Sequence, residues 1–374
     1  MPPALLTVNA GSSSLKVALF TGDDPPVRLA AAKVERIGGE VADHAGALDL
    51  ALERLALADG SLAGLAAVGH RIVHGGPSLD RPLVVDDRVL AELRRLQPID
   101  PDHLPAEIAL VEAIRARAPA LPQVACFDTA FHATLPRVAR LLPIPRRFEA
   151  AGVRRYGFHG LSYEYLLSEL ARVAGEPVAR GRVVMAHLGA GASLVACQDG
   201  RSVETTMGFT PNAGVPMATR TGDLDVGVAV YLLRHERLDA DRLDDLLSRR
   251  SGLLGVSETT ADMRDLLARE AADPRAADAV ALFCWQVRKA IGALATTIGG
   301  LDTLVFSGGI GENAAPVRAR VAAGLEHLGV AVDPARNDAG APVVSTDASA
   351  CTVRVIRTDE EAILARHTRR AIAR

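Results

Sequence analysis

Three turns rich in glycine and hydroxyl side chains are the first candidates for chemistry. Gly11-Ser12-Ser13-Ser14 offers closely spaced backbone N–H groups and hydroxyls, with Asn9 before it and Lys16 after it, so a phosphate fits there. Gly189-Ala190-Gly191-Ala192-Ser193 offers a second cradle, beginning two residues after His187. Gly308, Gly309, Ile310, Gly311 and Asn313 form a third cluster between an apolar strand and a helical pattern, the arrangement that presents a helix N-terminus to an anion. It lacks the Gly-Lys-Ser/Thr of a Walker A loop and the spacing of G-x-G-x-x-G. An ordinary tight turn accounts for each cluster equally well when it is taken alone. Lys16 adds weight to the first, because the chain has lysine only at 16, 33 and 289 among 42 basic residues.

Polar side chains also stand where apolar ones are expected. Arg71 interrupts GHRIVHGG, Asp128 ends the apolar run of FDTAFH, His159 lies in YGFHG and Arg220 in MATRTGDLD. A charge in such a setting is costly unless paired or used. Seven of the thirteen aromatic residues fall within 127–165, around Asp128 and His159, as in a walled site. His70 and His74 are too far apart on a strand to share one metal ion.

Strands and helices must hold these groups. ALLTVN and LKVALF read as a hairpin around the first turn, and RVVMAHL and SLVACQ as another around the second, followed by an Asp199-Gly200 hairpin signal. GSSSLKVA at 11–18 aligns without a gap on GAGASLVA at 189–196, close to half the chain length away, as in an internally duplicated protein. Strand-like runs at 122–128, 302–307 and 353–358 alternate with helical patterns at 88–96, 104–118, 162–174, 277–298 and 317–328. This is α/β organisation in two similar halves facing a cleft, expected as 1–132 with 362–374 and as 133–361, the Pro-rich 133–147 stretch marking the division. The 374 residues, 49% hydrophobic and 23% charged, suffice for two cores. A net charge of -3 and few aromatics argue against a nucleic-acid partner. Four dispersed cysteines suggest free thiols, and the absence of a long apolar run predicts a cytoplasmic chain with no membrane span.

The ordered series VNAGSSSLK, GHRIVHGG, FDTAFH, RRYGFHGLS, AHLGAGAS, SVETTMGFTP, ATRTGD, SGLLGVS, FSGGIGEN and TDEEAIL resembles the motif series of acetate kinases, from residue 5 to about 366. The resemblance implies a duplicated actin-like (ribonuclease H-like) two-domain α/β fold with an interdomain cleft. It also implies a homodimer, ATP as co-substrate, Mg²⁺ or Mn²⁺, and phosphoryl transfer between ATP/ADP and acetate/acetyl phosphate. Carried over motif by motif, magnesium and phosphate contacts fall on Asn9, Ser12, Ser14, Lys16, Asp128 and Glu360, with Asn9 and Glu360 toward the metal. Arg71, His159 and Arg220 take transition-state roles, with Asp128 orienting an arginine or the metal. The nucleotide and its phosphates fall to His187, Gly189, Gly191, Asp262, Arg264, Gly309, Ile310, Gly311 and Asn313, and the acyl pocket to Val73, Ile99, Phe158 and Pro211.

This assignment makes chemical sense. A carboxylic acid is already an ionised nucleophile at pH 7 and needs charge neutralisation, not a general base. The chain departs from the family pattern at Asp100, where the family's Pro-Leu-His-Asn-Pro run has its histidine, with His103 three residues on. Ala190 replaces an asparagine, and Leu161-Ser162-Tyr163 a Thr-Ser-His run. Propionate or another short acyl chain is the alternative acceptor. A sugar or polyol kinase, with Asp128 as base, would need a roomier and more polar site, and an ATP-gated chaperone-like module would need an extra domain.

Overall fold

The computed structural model describes residues 4–11, 14–39, 41–55 and 62–373. Ser12, expected in the first phosphate turn, lies outside them. The chain forms two compact units: Met1–Ala133 with Phe158–Tyr165 and Asp359–Arg374, and Thr134–Gly157 with Leu166–Thr358.

The first unit is built on a six-stranded sheet of β1 (Ala4–Ala10), β2 (Ser14–Phe20), β3 (Arg28–Glu35), β4 (Leu65–Ile72), β5 (Leu83–Val84) and β6 (Gln123–Phe127). Their order is β3-β2-β1-β4-β6-β5. β1 and β2 pair antiparallel, as do β2 and β3, whereas β1, β4 and β6 run parallel. Alternation along β1 sends Leu6, Val8 and Ala10 to one face, packed with Ala47, Leu48, Ala51 and Leu52 of the helix His44–Arg54 and with Leu110 and Ile114 of the helix Leu104–Arg117. Leu5 on the opposite face packs with Ala365 of the helix Glu360–Ile372, and Val124 and Cys126 of β6 pack with its Ile363 and Leu364. The last helix thus returns Glu360 to the unit where the chain began.

The second unit has a five-stranded sheet of β7 (Val183–Leu188), β8 (Ala192–Gln198), β9 (Arg201–Thr205), β10 (Thr303–Ser307) and β11 (Thr352–Val355), in the order β11-β10-β7-β8-β9. An antiparallel β7-β8-β9 meander continues into parallel β10 and β11, which repeats the β1-β2-β3 meander beside parallel β4 and β6. The half-length repeat in the sequence is therefore a repeat of topology. At the β8–β9 turn Asp199 and Gly200 have φ of 53° and 74°, the two left-handed residues of the expected hairpin.

The expected helix over 317–328 is shorter. It ends at Ala322, Gly324 has a φ of 92°, and a separate 3-10 turn covers Glu326–Leu328. All four cysteines are buried free thiols. Among the described residues no helix is long and apolar enough to cross a membrane.

Candidate active site

In the first unit, adjacent parallel strands place side chains at their C-terminal ends, where ligands of α/β sheets characteristically bind. Arg71 is the penultimate residue of β4, and Asp128 follows β6 directly. Arg71 Nε donates to both carboxylate oxygens of Asp128 at 3.2 Å, and Nη2 to Oδ2 at 2.6 Å. Its remaining nitrogen, Nη1, donates to the Ala10 carbonyl oxygen at the end of β1, 2.9 Å away. Asp128 is 1% exposed, and burial pushes its carboxyl up against the opposing pull of Arg71. Burial opposes the charge of the guanidinium, but Asp128 and Glu360 outweigh it and hold Arg71 more firmly charged than usual.

The YGFHG segment reaches the same place by close backbone packing. Gly160 N donates to Asp128 O at 3.0 Å, and a Cβ on Gly160 would meet that oxygen at 2.0 Å, so glycine is required. His159 adopts a φ of 58°, a left-handed conformation costly for a residue with a Cβ. Buried His132 lies 2.9 Å through Nε2 from the Phe158 carbonyl. Burial lowers its pKa to about 4, so a neutral ring donates there. Phe158 and Val73 are buried, and the Phe158 ring meets His74 edge-on with centroids 5.5 Å apart. Ile99, the third pocket residue expected in this unit, is partly buried. The aromatic cluster includes Phe131, His132 and Tyr163, but exposed Phe148 stands outside it, and Tyr156 lies in the second unit against Phe209. At Asp100 the carboxylate lies 2.8 Å from His103 Nδ1 and also accepts from His103 N.

Asn9, on β1, donates through Nδ2 to Glu360 Oε2 at 2.9 Å and to Glu361 Oε1 at 3.2 Å, across some 350 residues of chain. Lys16 is exposed on β2, 3.9 Å from Glu361. The turn between the strands is closed by Gly11 N donating to Ser14 O at 2.8 Å, and His44 Nε2 lies 2.9 Å from Gly11 O.

In the second unit, His187 is on β7 and precedes the loop closed by Gly189 N donating to Gly191 O at 3.0 Å. GGIGEN forms the short helix Gly308–Asn313 directly after β10. Gly308 has a φ of 76°, and a Cβ there would lie 2.7 Å from Leu188 O, which brings the second and third glycine clusters together. Glu312 Oε1 accepts from Gly308 N, Ser307 Oγ and Thr358 N, and so fixes the start of this helix. Arg318, almost fully buried, donates to the carbonyls of Gly311, Glu312 and Asn337. Gly309 and Asn313 are exposed, and Asn313 Nδ2 donates to Gly309 O. Asp262 caps the helix Met263–Arg269 by accepting from Arg264 N, and the Arg264 guanidinium folds back on the same carboxylate. Arg220 Nη1 donates to Pro211 O at 3.2 Å, joining the expected transition-state arginine to an expected pocket residue. Arg155 Nη1 donates to the carbonyls of Thr205, Thr206 and Met207 on the segment leading to Pro211.

Reasoning from sequence passed over Glu107, His132, Arg155, Glu312 and Arg318. Glu107 carried a signal, since it shares the helical spacing of Leu104, Ile108, Val111 and Ile114. The others act through backbone carbonyls and amides, which leave no sequence pattern.

The sequence pattern of the acetokinase family matches residues 26–366 of the chain. The chain belongs to the acetokinase family. It is a phosphotransferase of the carboxylate-kinase class. It is 44% identical to an acetate kinase from Rhodopseudomonas palustris over 98% of both chains. It is also 42% identical to a propionate kinase from Citrobacter rodentium, over 99% of this chain and 97% of that one. Among solved structures, the acetate kinase of Porphyromonas gingivalis superposes with a TM-score of 0.88 at 32% identity, over 99% of this chain and 100% of that one. The fold is the duplicated actin-like two-domain α/β fold.

Proposed function

We propose that the chain transfers the γ-phosphoryl group of ATP to acetate, reversibly, giving acetyl phosphate and ADP, with propionate the next acceptor. A carboxylate oxygen of the acceptor attacks the γ-phosphorus, and the bond to the bridging oxygen breaks, leaving ADP. The acceptor is already an anion, so no proton has to be removed. The observation that carries this reading is Arg71, partly buried, fixed by Asp128 and the Ala10 carbonyl, and two residues from buried Val73. A preorganised cation beside an apolar wall suits a short acyl anion. Arg220, tied to Pro211, would supply a second positive charge, and His159 a third polar contact to the transferring group. The neighbourhood of His187, Gly189, Gly191 and Gly308–Asn313 supports a role in holding the nucleotide, with Asp262 and Arg264 toward the adenosine. Ser14 and Lys16 would contact its phosphates.

Asp128 accepts three hydrogen bonds from Arg71, which favours an orienting carboxylate over the base a sugar kinase would need. The 42% identity to a propionate kinase supports the propionate alternative.

Among the described residues no cluster of three His, Cys, Asp or Glu is placed to hold a metal ion. Mg²⁺ bound with a nucleotide takes one or two carboxylates plus phosphates and waters, and the oxygen donors Glu360 and Asn9 fit that need. Such an ion would neutralise phosphate charge; Arg71, Arg220 and His159 supply what the chain itself provides. A homodimer is supported by the apolar side chains Val226, Val230 and Tyr231 exposed on the helix Val226–His235. Sedimentation at twice the monomer mass would test it. Four buried free thiols suit a cytoplasmic location.

Trapping acyl phosphate as the hydroxamate with acetate, propionate and butyrate tests the proposal. ATP-dependent product from acetate at the highest kcat/KM is expected, and no product from any of the three would overturn the reading.

A further inference from the structure

Glu107 has no part in the chemistry above, yet it is only 2% exposed. The helix Leu104–Arg117 turns it inward with Leu104, Ile108, Val111 and Ile114, where an apolar side chain would pack at lower cost. Its two oxygens instead lie 3.2 and 3.0 Å from the Val73 backbone N–H, which donates to them. Oε1 is also 4.0 Å from Arg71 Nη1, the nitrogen that donates to Ala10 O. One carboxyl group therefore touches both the segment proposed to line the acyl pocket and the arginine proposed to receive the acyl anion.

The surrounding charges come from several elements. Arg71 on β4 is the near cation, Asp128 after β6 is already paired with it, and Glu360 of the last helix acts on both. Asp100 faces Glu107 from the segment before the helix, in contact with His103 and with His74 nearby. An ionised Glu107 would be a second carboxylate drawing on Arg71 and would repel an incoming acyl anion. Burial, with Asp100 and Asp128 adding to it against Arg71 and the Val73 N–H, pushes Glu107 up to about 8. The carboxyl is mainly neutral at pH 7.

We propose that Glu107 is a positioning residue that sets the affinity for the carboxylate substrate, anchoring the Val73 backbone while leaving the charge of Arg71 to the acyl group. The proposal rests on the carboxylate-kinase reading of the same site and deepens it.

The test measures ADP release at saturating ATP, with acetate varied from pH 6.5 to 9, for the wild type, Glu107→Gln and Glu107→Leu. In the wild type the KM for acetate should rise on the order of tenfold as Glu107 ionises, while the KM for ATP stays within about twofold. Glu107→Gln, neutral at every pH and still able to accept from Val73 N, should keep the low-pH KM and flatten its rise. Glu107→Leu should raise the acetate KM at pH 7 more than it changes kcat. A Glu107→Gln profile parallel to the wild type would overturn the proposal, as would a Glu107→Leu enzyme with wild-type acetate KM and only a lower melting temperature. If the leucine variant does not fold, the glutamine profile decides alone. A wild type that forms no acyl phosphate would overturn the kinase reading, and this proposal with it, a result distinct from an active wild type whose KM ignores residue 107.

Discussion

Gly160 takes no part in the proposed chemistry, and that makes it a sharp probe of how the first unit holds its site. A methyl group at this position would sit 2.0 Å from Asp128 O, 2.8 Å from Phe131 Cβ and 3.0 Å from the Asp128 carbonyl carbon. Real Cβ contacts begin near 3.0 Å, so Gly160→Ala must open the Asp128–Gly160 approach by about 1 Å. The 3.0 Å hydrogen bond from Gly160 N to Asp128 O is lost or stretched, and Asp128 moves with Arg71, which it holds through three hydrogen bonds. A misplacement of about 1 Å in a preorganised site can cost roughly 10²-fold in rate. The overpacking strain should lower stability by about 1–3 kcal/mol. The assay is kcat for acetyl phosphate formation by hydroxamate trapping, with urea denaturation as the control for folding. A folded Gly160→Ala enzyme with wild-type kcat would refute the reasoning that this backbone contact sets the position of Asp128 and Arg71.

Arg71→Lys should lower kcat by roughly 10² to 10³ with the fold retained, because one ammonium cannot reproduce the separate hydrogen bonds of Nε, Nη1 and Nη2; turnover within tenfold of wild type would remove Arg71 from the mechanism. Arg220→Ala should also lower kcat by about 10² or more, measured at saturating acetate and ATP. Gly308→Ala, which combines a φ of 76° with a Cβ 2.7 Å from Leu188 O, should raise the KM for ATP about tenfold or more while changing the KM for acetate little. His70 and His132 are buried and each lowered to about 4, whereas in the unfolded chain they titrate near 6.5. Between these values the unfolded state binds more protons, so stability present above about pH 6.5 is lost as pH falls toward 4, by up to roughly 3 kcal/mol per histidine. Urea midpoints from pH 7 to 4.5 check this, and His132→Gln should flatten the decline.

Local patterns and motif order carried much of the architecture in the sequence. Alternation and small-residue turns located β1, β2, β7 and β8, because side-chain direction in a strand depends only on neighbours along the chain. The match of GSSSLKVA to GAGASLVA marked a duplication that reappears in both sheets as an antiparallel three-stranded meander beside two parallel strands. An arginine in an apolar strand and a carboxylate at the end of another were legible as exceptions to burial rules. Their pairing was not, since it follows from the parallel alignment of β4 with β6, which brings Arg71 opposite Cys126 and within reach of Asp128. Asn9 and Glu360 meet only because the last helix packs on the first sheet. Glu107 shares the spacing of the apolar face of its helix, but that its carboxyl takes the Val73 N–H beside Arg71 was decided by how that helix docks against β4. Residue type and spacing specify which groups a segment offers, whereas distances between groups far apart in sequence are fixed by the packing of sheets and helices, where burial makes each unpaired charge costly.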